Sequence, residues 1–289
     1  MSKFKNNQPQ AKPFLKWAGG KRGLIKQLFA KFPTEFNNYH EPFLGGGAVF
    51  FELYSRGMLE GKKAYLSDIN SELINTYNVV KNNPNKLIAE LEIYKKNHSK
   101  EFYYETRALD RSEGFKTLST LERATRFIYL NKTCFNGLYR VNLKGYFNTP
   151  IGSYENPNIA DKEVILDASK ALKNAIISNQ TFDKTPRNSK EGDFVYFDPP
   201  YYPLTKTAAF TAYNENIFLD DKQTELSAIY RTLDGLECKV AQSNSNTEFI
   251  NSLYRKYEMH ITVMANRNIN SNSNKRQRVE ELIIRSYQK

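Results

Sequence analysis

Residues 37–59 read NNYHEPFLGGGAVFFELYSRGML, and residues 62–81 read KKAYLSDINSELINTYNVVK. Each stretch passes from a short apolar run through loop residues into a segment of helical periodicity. In the first, a strand near Tyr39 to Glu41 meets a glycine loop and a helix follows. In the second, a strand runs into Asp68 and a helix begins at about Ser71. Two strand-loop-helix units in series predict a parallel α/β sheet.

The flanks extend this pattern. Residues 1–12 read as a flexible lead-in, and FLKWAGGKRGLIKQLFAKF from Phe14 reads as a turn and then a helix with Leu24, Ile25, Leu28 and Phe29 on one stripe. From Pro84 to Lys132 the periodicity is helical, with Leu87, Ile88 and Leu91 on one face and Ser119-Thr120-Leu121-Glu122 matching a capping box. So long a segment exceeds an ordinary connection between sheet elements and predicts an inserted domain. It continues through TCFNGLYRVNLKGYFNTPIGSY, where Tyr139 to Asn142 and Tyr146 to Thr149 can pair as a hairpin about Leu143-Lys144-Gly145. After a helix near Lys162 to Lys173, strands resume as AIISNQTF, GDFVYFD, CKVAQSNS, EMHITVM and VEELIIRSY, with helices at about Asp220 to Leu233 and Thr247 to Tyr257. The polar tract Asn268 to Arg278 reads as a loop. The expected division is a sheet domain of residues 1–80 and 175–289 and an insertion of residues 81–174.

Composition narrows the partners. The 289 residues carry 42 Lys and Arg against 31 Asp and Glu, a net charge of +11 that favours a polyanion because cations on phosphate release condensed counterions. A basic, well-solvated surface is the plainer reading of the same surplus. Cys134 and Cys238 form no CxxC pair, so neither a disulfide framework nor a zinc site is expected. The N-terminus lacks an apolar core segment, and no run of about 18 apolar residues follows. A cytoplasmic protein without a membrane partner is expected.

Glu41-Pro42-Phe43-Leu44-Gly45-Gly46-Gly47 sits at a strand-to-helix turn, either a plain tight turn or a place where backbone approaches a ligand. A GxGxxG match fails at Phe50, and a phosphate loop fails because Leu15 stands where its first glycine belongs and Arg22 follows Gly20-Lys21. Asp68, at a strand end, suits the hydroxyls of a ribose; alternatively it or Asn70 caps the next helix. VYFDPPY, residues 195–201, ends an apolar strand in an acid, two prolines and a ring. That is either a strand stopped by Pro-Pro or a site aimed at a planar heterocycle. For the second reading, the Asp198 carboxylate and the Pro199 carbonyl can accept the two hydrogens of an exocyclic amine, freeing its lone pair, while Tyr201 offers a stacking face.

FLKWAGGK at residues 14–21, then EPFLGGG, SDIN and DPPY, in this order and with the insertion before the last, resemble the DNA adenine methyltransferase (Dam) family, the D12 class of N6-adenine-specific enzymes. The resemblance runs from about Phe14 to Tyr287. It implies a class I, Rossmann-like methyltransferase sheet with an inserted helical and β-hairpin target-recognition domain. It further implies methyl transfer from S-adenosyl-L-methionine to adenine in double-stranded DNA after base flipping, without a metal. Trp17, Lys21, Phe43, Gly45, Gly47, Asp68, Phe182, Asp183 and Asp198 match cofactor-binding positions, and Asp198, Pro199 and Tyr201 the catalytic ones.

Asn136-Gly137-Leu138-Tyr139-Arg140, with Asn142 and Pro150, is similar to the hairpin with which Dam enzymes read GATC. There the Leu and Pro touch thymine methyls and the Arg binds a guanine; Lys16 matches a contact to the first guanine. A related group reading GATATC shares much of this hairpin, and a cognate restriction endonuclease is a candidate partner. Other classes fit the residues less well. A zinc deaminase needs HxE and PCxxC ligands that His40, His98, His260 and the two cysteines do not supply. RNA and protein-glutamine methyltransferases share DPPY-like tetrads, and a DNA-binding protein without catalysis is the remaining alternative.

Overall fold

The computed structural model describes residues 10–204, 218–264 and 279–288. Most of the expected lead-in and the polar tract 268–278 lie outside these. The chain divides into two compact units. One comprises residues 10–20, Gly45–Gly61 and Asn70–Asn179; the other comprises Lys21–Leu44, Lys62–Ile69 and the described residues from Gln180 onward.

The second unit carries the sheet's center. Its strands are β1 (Tyr39–Glu41), β2 (Ala64–Asp68), β4 (Phe194–Phe197), β5 (Lys239–Ser245), β6 (Glu258–Met264) and β7 (Val279–Arg285); β3 (Ala175–Asn179) belongs to the first unit. The six strands of the second unit form a mixed sheet in the order β2-β1-β4-β5-β7-β6. β1 pairs in parallel with β2 on one side and β4 on the other, and β4 pairs in parallel with β5. The strand order therefore reverses between β1 and β4, and the carboxyl ends of those strands flank the crevice where open α/β sheets bind ligands. β7 departs from the expected parallel pattern: it lies antiparallel between β5 and β6. An antiparallel pair needs no crossover helix, so the last two strands can be neighbours in sequence and in the sheet.

Inside this unit Val195 and Phe197 of β4 and Leu282 and Ile284 of β7 pack with Leu226, Tyr230 and Leu233 of a helix at Asp220–Gly235. The amino ends of β1 and β4 are tied by Asp193, whose carboxylate accepts from the Asn38 backbone and side chain at 2.9 and 3.0 Å, His40 at 2.9 Å and Lys190 N at 3.0 Å.

After α1 (Ile25–Phe29) of the second unit, the first unit supplies the helices α2 (Ala48–Ser55), α3 (Ser71–Asn82), α4 (Pro84–Lys96), α5 (Lys100–Ala108), α6 (Thr120–Thr133) and α7 (Lys162–Leu172). α6 opens with the expected capping box, Ser119 and Glu122 each accepting from the other's backbone. The hairpin forms about the expected turn, with Val141 bridged to Phe147 and Gly145 N donating to Asn142 O at 2.8 Å. The expected strand AIISNQTF stops at Asn179; Phe182–Arg187 is a 3-10 turn containing Pro186, which has no N–H to give a ladder. No helix among the described residues is long and apolar enough to cross a membrane.

Candidate active site

Asp198 follows the last residue of β4, at the carboxyl edge and beside the reversal of strand order. Its Oδ1 lies 2.8 Å from Nζ of Lys21, which is 4% exposed. The two come together because Lys21 opens a short helical turn, Lys21–Gly23, within the same unit. An ammonium this buried is costly unless paired, so the pair fixes both groups. The same ammonium stands 4.6 Å from the ring center of Tyr201. Burial, then the charge of Asp198, pushes the Tyr201 phenol well above its ordinary value, and it donates to Oε2 of Glu281 at 2.6 Å.

The Pro-Pro turn is held from outside. Gln223 Nε2 donates to the Pro200 carbonyl at 3.1 Å, Asn244 Oδ1 accepts from Tyr202 N at 3.2 Å, and Ser245 Oγ donates to the Tyr202 carbonyl at 2.7 Å. Asn244 and Gln223 are themselves joined at 2.9 Å. Glu281, Gln223, Asn244 and Ser245 were not foreseen. The polar run Gln242-Ser243-Asn244-Ser245 at the end of a buried strand was the available signal, since buried polar groups need partners.

Phe43 and Phe182 stack at 5.5 Å and 24°, and Phe218, also unforeseen, meets both edge-on at 5.6 and 5.5 Å. Asp68 ends β2 half-buried, and the helix after it is capped by Asn70, whose Oδ1 accepts from Leu73 N at 3.0 Å. The capping alternative thus belongs to Asn70. Hydrogen bonds from Lys184 and Thr181 hold the Asp183 carboxyl below its usual range. A carboxylate at a strand end, an aromatic floor and an acid–ammonium pair form a donor set suited to a nucleoside bearing a positive charge.

The first unit holds the remaining predicted residues. Gly45 and Gly47 have φ of 48° and 66°, in the left-handed region, and a Cβ on Gly45 would lie 2.7 Å from Cδ1 of Trp17. The Trp17 ring stacks on Tyr139 of the hairpin at 5.6 Å and 20°. Lys16 is clasped by Asn131: its N–H donates to Oδ1 at 2.9 Å and its carbonyl accepts from Nδ2 at 2.8 Å, while the same amide reaches Gly137 O at 3.2 Å. Gly137 lies so close to Lys16 that a Cβ would meet its Cδ at 2.4 Å. Asn136, Arg140, Asn142 and Pro150 are exposed and Leu138 is half-buried. Arg140 Nε donates to Asn148 Oδ1 at 2.7 Å, and Asn142 Oδ1 accepts from Lys144 N and Tyr146 N at 3.0 Å, closing the turn.

Residues 17–269 match the family of D12 class N6 adenine-specific DNA methyltransferases. The chain is 40% identical over 289 residues to the type II methyltransferase M1.LlaDCHI of Lactococcus lactis subsp. cremoris, covering 99% of each chain. It is 42% identical over 292 residues to the type II methyltransferase M.MjaIII of Methanocaldococcus jannaschii, covering 96% of this chain and 100% of that one. It is 35% identical over 272 residues to the DNA adenine methylase of Escherichia coli K12, covering 93% of each. With an acid at the end of β4 and this match across most of its length, the chain belongs to the D12 class of adenine-specific DNA methyltransferases, enzymes that use S-adenosylmethionine.

Proposed function

We propose that the protein binds duplex DNA, rotates one adenine out of the stack and methylates its N6 amine within GATC, with GATATC as the second candidate site. The observation that carries the chemistry is the Asp198 carboxylate, at the carboxyl end of β4 and 2.8 Å from the Lys21 ammonium. In this reading Asp198 and the Pro199 carbonyl accept the two amine hydrogens, which favours a pyramidal nitrogen and strengthens as charge develops. Tyr201 offers its ring to the extruded base, whose unstacking costs a few kcal/mol. S-adenosylmethionine, when bound, supplies a methyl group already activated on a sulfonium, so the reading requires no metal.

Asp68 would accept the ribose hydroxyls; Phe43 and Phe182 would line the pocket, and Trp17, Lys21, Gly45, Gly47 and Asp183 complete the proposed cofactor set. Its support is the donor chemistry, with Asp68 at a strand end and the cap of α3 supplied by Asn70. Residues 81–174 are proposed as the target-recognition domain and 1–80 with 175–289 as the catalytic domain. Arg140 reads a guanine, Leu138 and Pro150 contact thymine methyls, and Lys16, Asn136 and Asn142 complete the contact set. Tethering of Arg140 through Nε to Asn148 supports the guanine assignment, because a held fork loses less freedom on binding a base edge. Two of the relatives carry the name type II methyltransferase, which supports a cognate restriction endonuclease as partner. The proposed location is the cytoplasm, with the DNA.

The test is transfer of labelled methyl from S-adenosylmethionine to short duplexes containing GATC, GATATC or neither, with the product base identified. Label in adenine of the GATC duplex alone is the expected result. Label only in the GATATC duplex replaces the target, and no label in any duplex overturns the reading and redirects attention to RNA and protein substrates.

A further inference from the structure

One buried acid has no part in the mechanism above. In β7, Glu280 is exposed and Glu281 is 1% exposed, the first of five consecutive buried residues that run to Arg285. Glu281 lies opposite Ser245 of β5 and Thr262 of β6, so it stands inside the sheet rather than at its rim. Burying a carboxylate is costly unless it is paired and hydrogen-bonded. Two polar groups beside it belong to residues of the proposed site: the phenol of Tyr201 at 2.6 Å and the ammonium of Lys21 at 4.0 Å. Lys21 in turn lies 2.8 Å from Asp198 and over the Tyr201 ring.

A tyrosine ring turns about two torsions; the para oxygen lies on the axis of the second, so a hydrogen bond there holds the first and fixes where the ring sits. Because burial keeps the phenol protonated, that oxygen is a donor, and Glu281 is its acceptor. We propose that Glu281 is a positioning residue for methyl transfer: it anchors the position of the Tyr201 ring through the phenol and shares Lys21 with Asp198, so that the stacking ring and the acid are set in one arrangement. The proposal rests on the function proposed above and gives a reason for the tyrosine hydroxyl, which stacking alone does not need.

The experiment measures single-turnover methylation of a cognate duplex and, in parallel, fluorescence of 2-aminopurine at the target position, using the full chain. Tyr201→Phe keeps the ring and removes the tether; its transfer rate is expected to fall about tenfold, with duplex affinity within about twofold of wild type. Glu281→Ala should fall by a similar factor, and the double variant no further, as residues acting through one contact do. Glu281→Gln, which retains a carbonyl acceptor, should recover most of the rate and the wild-type fluorescence. A Tyr201→Phe enzyme at wild-type rate, or losses that multiply in the double variant, would overturn the proposal. Should Glu281→Ala fail to fold, Tyr201→Phe and Glu281→Gln decide it alone. A wild type that transfers no methyl to any duplex overturns the functional reading and this one together, whereas an active wild type with an unaffected Tyr201→Phe overturns this one only.

Discussion

At Asp198 a strand ends in an acid that the fold sets against a buried cation, and the two prolines after it form a turn braced by Gln223 and the end of β5. The acid and the turn were readable from VYFDPPY, because strand ends at the carboxyl edge face the ligand crevice. The bracing was not readable: Tyr201 and Glu281 stand 80 positions apart, and only the folded sheet brings them together. Asp198→Asn, which keeps the side chain's size, is expected to lower the single-turnover rate about 10²- to 10³-fold, the range seen when one preorganised group is lost. Retained far-ultraviolet circular dichroism would show that the loss is chemical. Turnover near wild type would remove Asp198 from the mechanism.

Among the elements, β1, β2 and α3 were legible because each couples an apolar run to a local stop signal, and the capping box of α6 was legible from four consecutive residues. The antiparallel course of β7 was not, since the apolar run of VEELIIR is the same whichever way the strand pairs. The glycine loop has a further constraint in its backbone. Gly45→Ala, at φ 48° and with a Cβ 2.7 Å from the Trp17 ring, should cost about 1–3 kcal/mol and weaken cofactor binding, as thermal unfolding and cofactor titration would report. At the opposite ends of β1 and β4, burial opposes ionisation of Asp193, but hydrogen bonds from His40 and from the Asn38 and Lys190 amides outweigh it and hold the carboxyl below its usual range. A depressed carboxyl contributes stability above its unfolded pKa and loses it as pH falls through the folded value. Wild-type stability should therefore decline from about pH 4 downward, and Asp193→Asn should flatten that acid limb in equilibrium denaturation.

For the whole molecule, the net charge of +11 is the property read most directly from composition, and its consequence is a steep response to salt. If six or more phosphates are neutralised, affinity for a duplex lacking the target site should fall about 10³-fold or more between 50 and 200 mM salt. Cofactor affinity should change little over the same range, and a shallow slope for DNA would separate the charge surplus from DNA binding. The chain passes from one compact unit to the other after Gly20, Leu44, Gly61, Ile69 and Asn179, and three of these five crossings fall inside the KWAGGK, EPFLGGG and SDIN motifs. In the first of them, the peptide of Lys16 belongs to no helix or strand, yet both its N–H and its carbonyl close on the side chain of Asn131, which is 2% exposed. One carboxamide there acts as a missing strand would. The Lys16 amide should accordingly exchange its hydrogen for deuterium as slowly as amides in the core of α6, and Asn131→Ala should return it to the rate of an open loop.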